Sequence, residues 1–76
     1  MTIILYTSSQ CPMCKEVKKF LEDLGIPYEE RNAQEYANYL LSKGFITVPL
    51  VEVDGVIYRV HSLATLISIL ESHGLY

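Results

Sequence analysis

The chain has 76 residues, 50% of them apolar, with three prolines and four glycines, a composition that reads as one packed domain over residues 1–76 rather than a disordered segment. Six basic against nine acidic side chains give a net charge of −3, which argues against nucleic acid as a partner, because phosphate-backbone binding needs clustered Lys and Arg. Apolar runs such as Ile3-Ile4-Leu5-Tyr6 fall far short of the roughly 20 residues that cross a bilayer, so no membrane segment is expected either.

At this length folding hides only about 60–65% of the surface the unfolded chain exposes, so the core is thin. The N-terminus carries no basic leader followed by an apolar stretch and a small-residue cleavage site, and strand-forming residues begin at Ile3. We therefore expect a cytoplasmic monomer. Structural disulfides are rare in that compartment, so the only two cysteines, Cys11 and Cys14, call for another explanation.

Ile3 to Thr7 is a continuous β-branched and apolar run, the pattern of a buried strand, and Thr7 to Gln10 is a polar link. Val17, Phe20, Leu21 and Leu24 follow at i, i+3, i+4, i+7, which predicts an amphipathic helix stopped by Gly25 and Pro27. Tyr28 to Arg31 reads as a short second strand. Asn32 and Glu35 form a capping-box pattern for a second helix that ends at Lys43-Gly44, with Ala33, Ala37, Leu40 and Leu41 inward. Pro49–Val53 and Val56–Val60 flank Asp54-Gly55, a two-residue hairpin signal. Ser62 caps a last helix with Leu63, Leu66, Ile67 and Leu70 inward, closing at Gly74. The order β-α-β-α-β-β-α predicts an α/β fold: a mixed four-stranded sheet flanked by helices, with a parallel first pair and an antiparallel hairpin.

Cys11 stands where the first strand hands over to the first helix. Pro12 suits the first helical position because its missing N–H is one of the donors a helix start leaves unpaired. Cys11 then becomes the N-cap, its sulfur beside the free N–H groups of Met13 and Cys14 and the positive end of the helix dipole. Both favour thiolate over thiol, and the thiolate is the nucleophile of disulfide exchange. Cys14, one turn along, is more shielded and acts second, so the pair reads as a redox-active Cys11–Cys14 disulfide with no bound cofactor.

Zinc fits poorly. The further soft ligands, His61 and His73, stand at no familiar finger spacing from the C-x-x-C pair. His73 suits a helix C-terminus and His61 is read as solvated; neither is given a catalytic part. Tyr36, Tyr39 and Tyr58 read as packing and rim residues. Lys15, Lys18 and Lys19 read as a solvated face with Lys18–Glu22 and Lys19–Asp23 pairs, able secondarily to steer an acidic partner. Pro49 reads either as a strand-opening proline or as a cis proline that leaves the Val48 backbone free to pair with an incoming chain.

The segment Tyr6-Thr7-Ser8-Ser9-Gln10-Cys11-Pro12-Met13-Cys14 resembles the active-site segment of the glutaredoxins and NrdH-type redoxins, and Thr47-Val48-Pro49 resembles their substrate-facing proline motif. The likeness spans essentially the whole chain and implies the thioredoxin-like fold. It implies Cys11 as nucleophile, Cys14 as resolving thiol, a cis Val48-Pro49 bond, and substrate contacts at Pro12, Met13, Thr47, Val48 and Pro49. It implies a disulfide-containing protein substrate, with ribonucleotide reductase as one client, and either thioredoxin reductase or glutathione as reductant.

Glutathione-using members carry Lys or Arg where this chain has Ser8, and Gly-Gly and Asp where it has Arg59-Val60-His61-Ser62. Gly44-Phe45 lies closer to the NrdH-type proteins, although their Trp-Ser-Gly-Phe stretch is absent. The reading preferred on these residues is a dithiol donor to protein disulfides. A glutathione-dependent glutaredoxin, with Arg59 or Lys43 supplying the missing charge, is the alternative, and a glutathione-assisted iron–sulfur carrier a more distant one.

Overall fold

The strand that leads to the cysteines lies in the interior of the sheet. A computed structural model describes residues 2–76, in which β1 (Ile3–Thr7) lies between β2 (Glu29–Asn32) and β3 (Leu50–Val53), with β4 (Val56–Arg59) outside β3, giving the order β2-β1-β3-β4. β1 runs parallel to β2, with Leu5 opposite Glu30, and antiparallel to β3, with Tyr6 opposite Leu50. The β3–β4 hairpin turns on Asp54 and Gly55, both at positive φ (52° and 86°), the primed turn whose twist suits paired strands. The mixed four-stranded sheet flanked by helices is therefore the architecture the pattern predicts.

Alternation along β1 and β3 divides the core in two. Ile3, Leu5, Val51 and Val53 face α1 (Pro12–Asp23) and α3 (Leu63–Ser72), meeting Val17, Leu21, Leu66, Ile69 and Leu70. Tyr6 and Leu50 face the opposite way onto Leu40 of α2 (Ala37–Ser42). Among the described residues no helix is long and apolar enough to cross a membrane.

Several boundaries differ from the sequence pattern. Asn32 ends β2 and does not cap a helix: its Oδ1 accepts from the Gln34 N–H at 2.8 Å, an Asx turn, and α2 starts only at Ala37, with Tyr36 making no side-chain cap. A helix of six residues has too little length to bury every apolar side chain, so Leu40 is buried while Leu41 stays 56% exposed. In α3 it is Ile69, not Ile67, that joins Leu66 and Leu70 in the core. Leu24 caps α1 and is exposed. The expected i, i+4 ion pairs on α1 do not form among the described residues: Lys18 reaches across to Glu30 of β2, and Glu22 accepts from the Tyr28 hydroxyl at 2.7 Å.

Glu52 is buried at the centre of the α2 face of the sheet. A carboxylate there must be hydrogen-bonded or it costs several kcal/mol. Tyr6 and Tyr39 both donate to its Oε1, at 2.9 and 3.1 Å, and Arg31 donates to the Tyr6 hydroxyl at 3.3 Å. Burial, and then the bond to Glu52, push the Tyr6 phenol up from 10.0 to about 12. The unfolded chain ionises at this residue near pH 10, so between the two values the folded state holds the extra proton. This contribution to stability is complete below the lower value and is lost as pH rises through the upper one. Tyr28, beside Glu22, shifts the same way. The urea midpoint should therefore fall between about pH 10 and pH 12. Tyr6→Phe should remove part of that fall while costing about 1 kcal/mol near neutrality for the lost hydrogen bond. An unchanged alkaline slope in the variant contradicts this account.

Candidate functional site

Cys11 has extended backbone angles (φ −112°, ψ 101°) and is the N-cap of α1, with Pro12 following in the first turn. Its Sγ accepts the Cys14 backbone N–H at 3.1 Å. One of the two amides expected to face the sulfur is thus seen to bond it. An anion at that sulfur meets a directed donor and the positive end of a helix of 12 residues, the setting that lowers a thiol pKa.

The two cysteines are joined as a disulfide with Cα atoms 5.3 Å apart. They differ in access. Cys11 is half-buried, whereas Cys14 is 1% exposed and packed on the inward side of α1. Among the described residues no group of three or more His, Cys, Asp or Glu side chains comes together as a metal site.

One cleft is lined by both cysteines, and a second by Met13, which stands between them in sequence. The first, of about 380 Å³, is lined by Thr7, Ser8, Ser9, Cys11, Cys14, Lys15, Lys18, Glu30 and Asn32. Here Thr7 Oγ1 donates to Glu30 Oε2 at 2.9 Å, and Lys18 Nζ lies 3.2 Å from the same oxygen. The sequence hides this cluster: Glu30 sits 23 residues from Thr7, and only the parallel pairing of β1 with β2 brings them together.

The second cleft, of about 340 Å³, is lined by Met13, Thr47, Val48, Pro49, Arg59, Val60 and His61. The Val48-Pro49 peptide is cis. Pro49 immediately precedes β3, and its carbonyl accepts the Val60 N–H at 3.2 Å. Four of the five side chains expected at the substrate, Met13, Thr47, Val48 and Pro49, share this groove. Pro12 stands outside it, on a separate recess with Ser9, Gln10, Cys11 and Lys15. His73 is tied to the Tyr58 hydroxyl at 3.0 Å, away from the cysteines in the packing of α3.

A C-x-x-C disulfide capping the first helix of a four-stranded mixed sheet defines a thiol–disulfide oxidoreductase of thioredoxin-like fold. The glutaredoxin family pattern matches residues 3–58, and the chain belongs to that family. Among solved structures, a point variant of the thioredoxin-like protein BC3987 is 30% identical, with a TM-score of 0.77 over 91% of this chain and 99% of that one. The glutaredoxin-like protein NrdH-redoxin from Escherichia coli is 25% identical, with a TM-score of 0.77 over 91% of this chain and 95% of that one. A buckwheat glutaredoxin bound to glutathione shares the fold at 21% identity, with a TM-score of 0.69 over 96% of this chain and 71% of that one. No curated protein sequence matches the chain.

In the reduced protein, iodoacetamide at pH 6 should alkylate Cys11 well ahead of Cys14, as read by peptide mass spectrometry. Equal labelling would mean that neither the helix start nor burial separates the two thiols.

Proposed function

We propose that the protein is a dithiol electron donor to protein disulfides, with Cys11 as the attacking thiolate and Cys14 as the resolving thiol. The observation that carries this reading is the asymmetry of the pair: one half-buried sulfur capping a helix, its companion fully buried one turn along.

The chemistry balances without a bound cofactor. The Cys11 thiolate attacks one sulfur of the substrate disulfide, so a Cys11–substrate bond forms and the other substrate sulfur leaves as thiolate and takes up a proton. Cys14 then loses its proton and attacks Cys11 Sγ, which forms the internal disulfide and releases the second substrate thiolate. Two electrons have passed from the protein to the substrate. A dithiol reductant must return them by the reverse exchange.

Met13, Thr47, Val48 and Pro49 form the surface against which the substrate chain lies. Among the described residues neither Thr47 nor Val48 takes part in a backbone–backbone hydrogen bond of a turn, loop or cap. Both lie outside the strands, so a substrate segment can pair with Val48 in the manner of an added strand.

Recycling by thioredoxin reductase is favoured over recycling by glutathione. Where a glutathione-binding relative would bring its glycine backbone to the ligand, this chain lines the groove with Arg59, Val60 and His61. The similarity to the E. coli NrdH-redoxin, described as having a thioredoxin-like activity profile, points the same way. Ribonucleotide reductase is one client consistent with that likeness.

NADPH with thioredoxin reductase should sustain turnover on a protein disulfide at least about tenfold faster than NADPH with glutathione and its reductase, a difference of about 1.4 kcal/mol in the barrier. Faster recycling by glutathione makes the protein a glutathione-dependent glutaredoxin instead. Cys11→Ser should abolish reduction. Cys14→Ser should accumulate the protein–substrate mixed disulfide, visible on a non-reducing gel, and full multi-turnover activity in that variant rules out the dithiol route.

A further inference from the structure

The groove beside the cis proline is not neutral. Its charged or titratable side chains are Arg59 and His61, and no Asp or Glu lines it, although the chain carries nine acids against six bases and a net charge of −3. The acids of the hairpin lie elsewhere: Asp54 forms its tip, and Glu52 is buried on the α2 face, engaged by Tyr6 and Tyr39.

Arg59 is held in a set position. It is the last residue of β4 and pairs with Leu50, the residue that follows Pro49. The next backbone N–H, that of Val60, donates to the Pro49 carbonyl. This fixes the guanidinium's origin relative to the cis peptide. The guanidinium itself lies 4.7 Å over the Phe45 ring, and its Nη2 donates to the Gly44 carbonyl at 3.3 Å. Stacking and one hydrogen bond restrain an otherwise flexible side chain, so less rotamer entropy is lost when it binds.

Yet Arg59 has no acidic partner. Among the described residues the ion pairs are Lys18–Glu30 and Arg31–Glu29. One bond to Gly44 leaves most of the five guanidinium N–H donors free, and Arg59 is exposed at the groove. A planar, pre-positioned cation with spare donors is suited to a carboxylate, which it can grip through two parallel bonds.

We propose that Arg59 is a specificity-determining residue that selects disulfide substrates carrying an acidic side chain close to the reacting cysteine. This rests on the dithiol reading above and names its substrate class: an acidic segment of a partner protein, laid along Met13 and Pro49 with its carboxylate on Arg59. We place the acid within roughly three positions of the cysteine, about 10 Å of extended chain at about 3.3 Å per residue. The contact is at a rim, where salt screens it, so its effect is moderate and sits mainly in the encounter step.

The test uses the full-length reduced protein and short peptides. Each peptide holds one cysteine activated as a 2-pyridyl disulfide, whose uncharged leaving group is read by absorbance. The set is otherwise identical, with Glu, Gln or Lys at each of three positions on either side of the cysteine. At one or two of these positions Glu should react about twofold to fivefold faster than Gln at low salt, the size expected of an exposed Arg–carboxylate contact, and Lys more slowly. The ratio should shrink in molar salt.

Arg59→Gln should bring the Glu/Gln ratio to about one, and Arg59→Lys should restore part of it. Lys15→Gln should leave the ratio in place. A flat response to peptide charge, a preference that survives Arg59→Gln, or one lost with Lys15→Gln instead would overturn the assignment of Arg59 while leaving the dithiol reading intact. Failure of the native protein to react with any peptide defeats the redox reading itself, and this proposal with it.

Discussion

The structure turns on a single backbone N–H, that of Cys14, pointed at the sulfur of Cys11 across one helical turn. A helix start has donors to spare, and in this chain the side chain that takes one up is a sulfur instead of the usual oxygen. The same bond thus does structural and chemical service. It closes the first turn of α1, and it favours negative charge on the atom that must carry it during exchange. Much of the rest of the molecule bears on this point: β1, buried between two neighbours, delivers the chain to it, and Val17 and Leu21 lock the helix axis against the sheet.

The second requirement is that the two sulfurs stand in different surroundings. The inward face of α1 takes Cys14 into the core beside Val17 and Leu21, while Cys11, outside the helix proper, stays at the surface. Helical periodicity alone produces this, since residues 14, 17 and 21 share one side. The order of action we propose rests on this difference in position: the more accessible sulfur would meet the substrate, and the shielded one its neighbour. The cis proline completes the arrangement from the other side, its carbonyl pinned by Val60 so that the groove keeps its shape next to Met13.

How much of this could be read from the residues depended on separation along the chain. The cysteine N-cap, the Asp54-Gly55 turn and the helical stripe of α1 are local patterns, and the structure carries each of them. Asn32 misled because it satisfies a local rule twice over: Asn favours both helix starts and Asx turns, and the strand bond from Ala33 N–H to the Thr7 carbonyl holds the chain extended one residue too long for a cap. Lys18 misled because a helix-surface rule competes with a neighbouring strand that offers Glu30. The Glu52 network lay out of reach altogether. Tyr6 and Glu52 are 46 residues apart, and no spacing rule links them until β3 is known to lie against β1. Arg59 shows the same limit, as its place beside Pro49 depends on hairpin register continued past the last paired residue.

The cross-link joins positions only three apart. A ring that small removes little freedom from an unfolded chain compared with one closing a long loop, about 2 kcal/mol against nearly 5 for a hundred residues on the chain-entropy account. The scaffold's durability therefore comes from the two apolar clusters on either side of the sheet and not from the bond between the sulfurs. A bond that contributes so little to the fold can be made and broken while the two clusters go on holding the sheet and helices together.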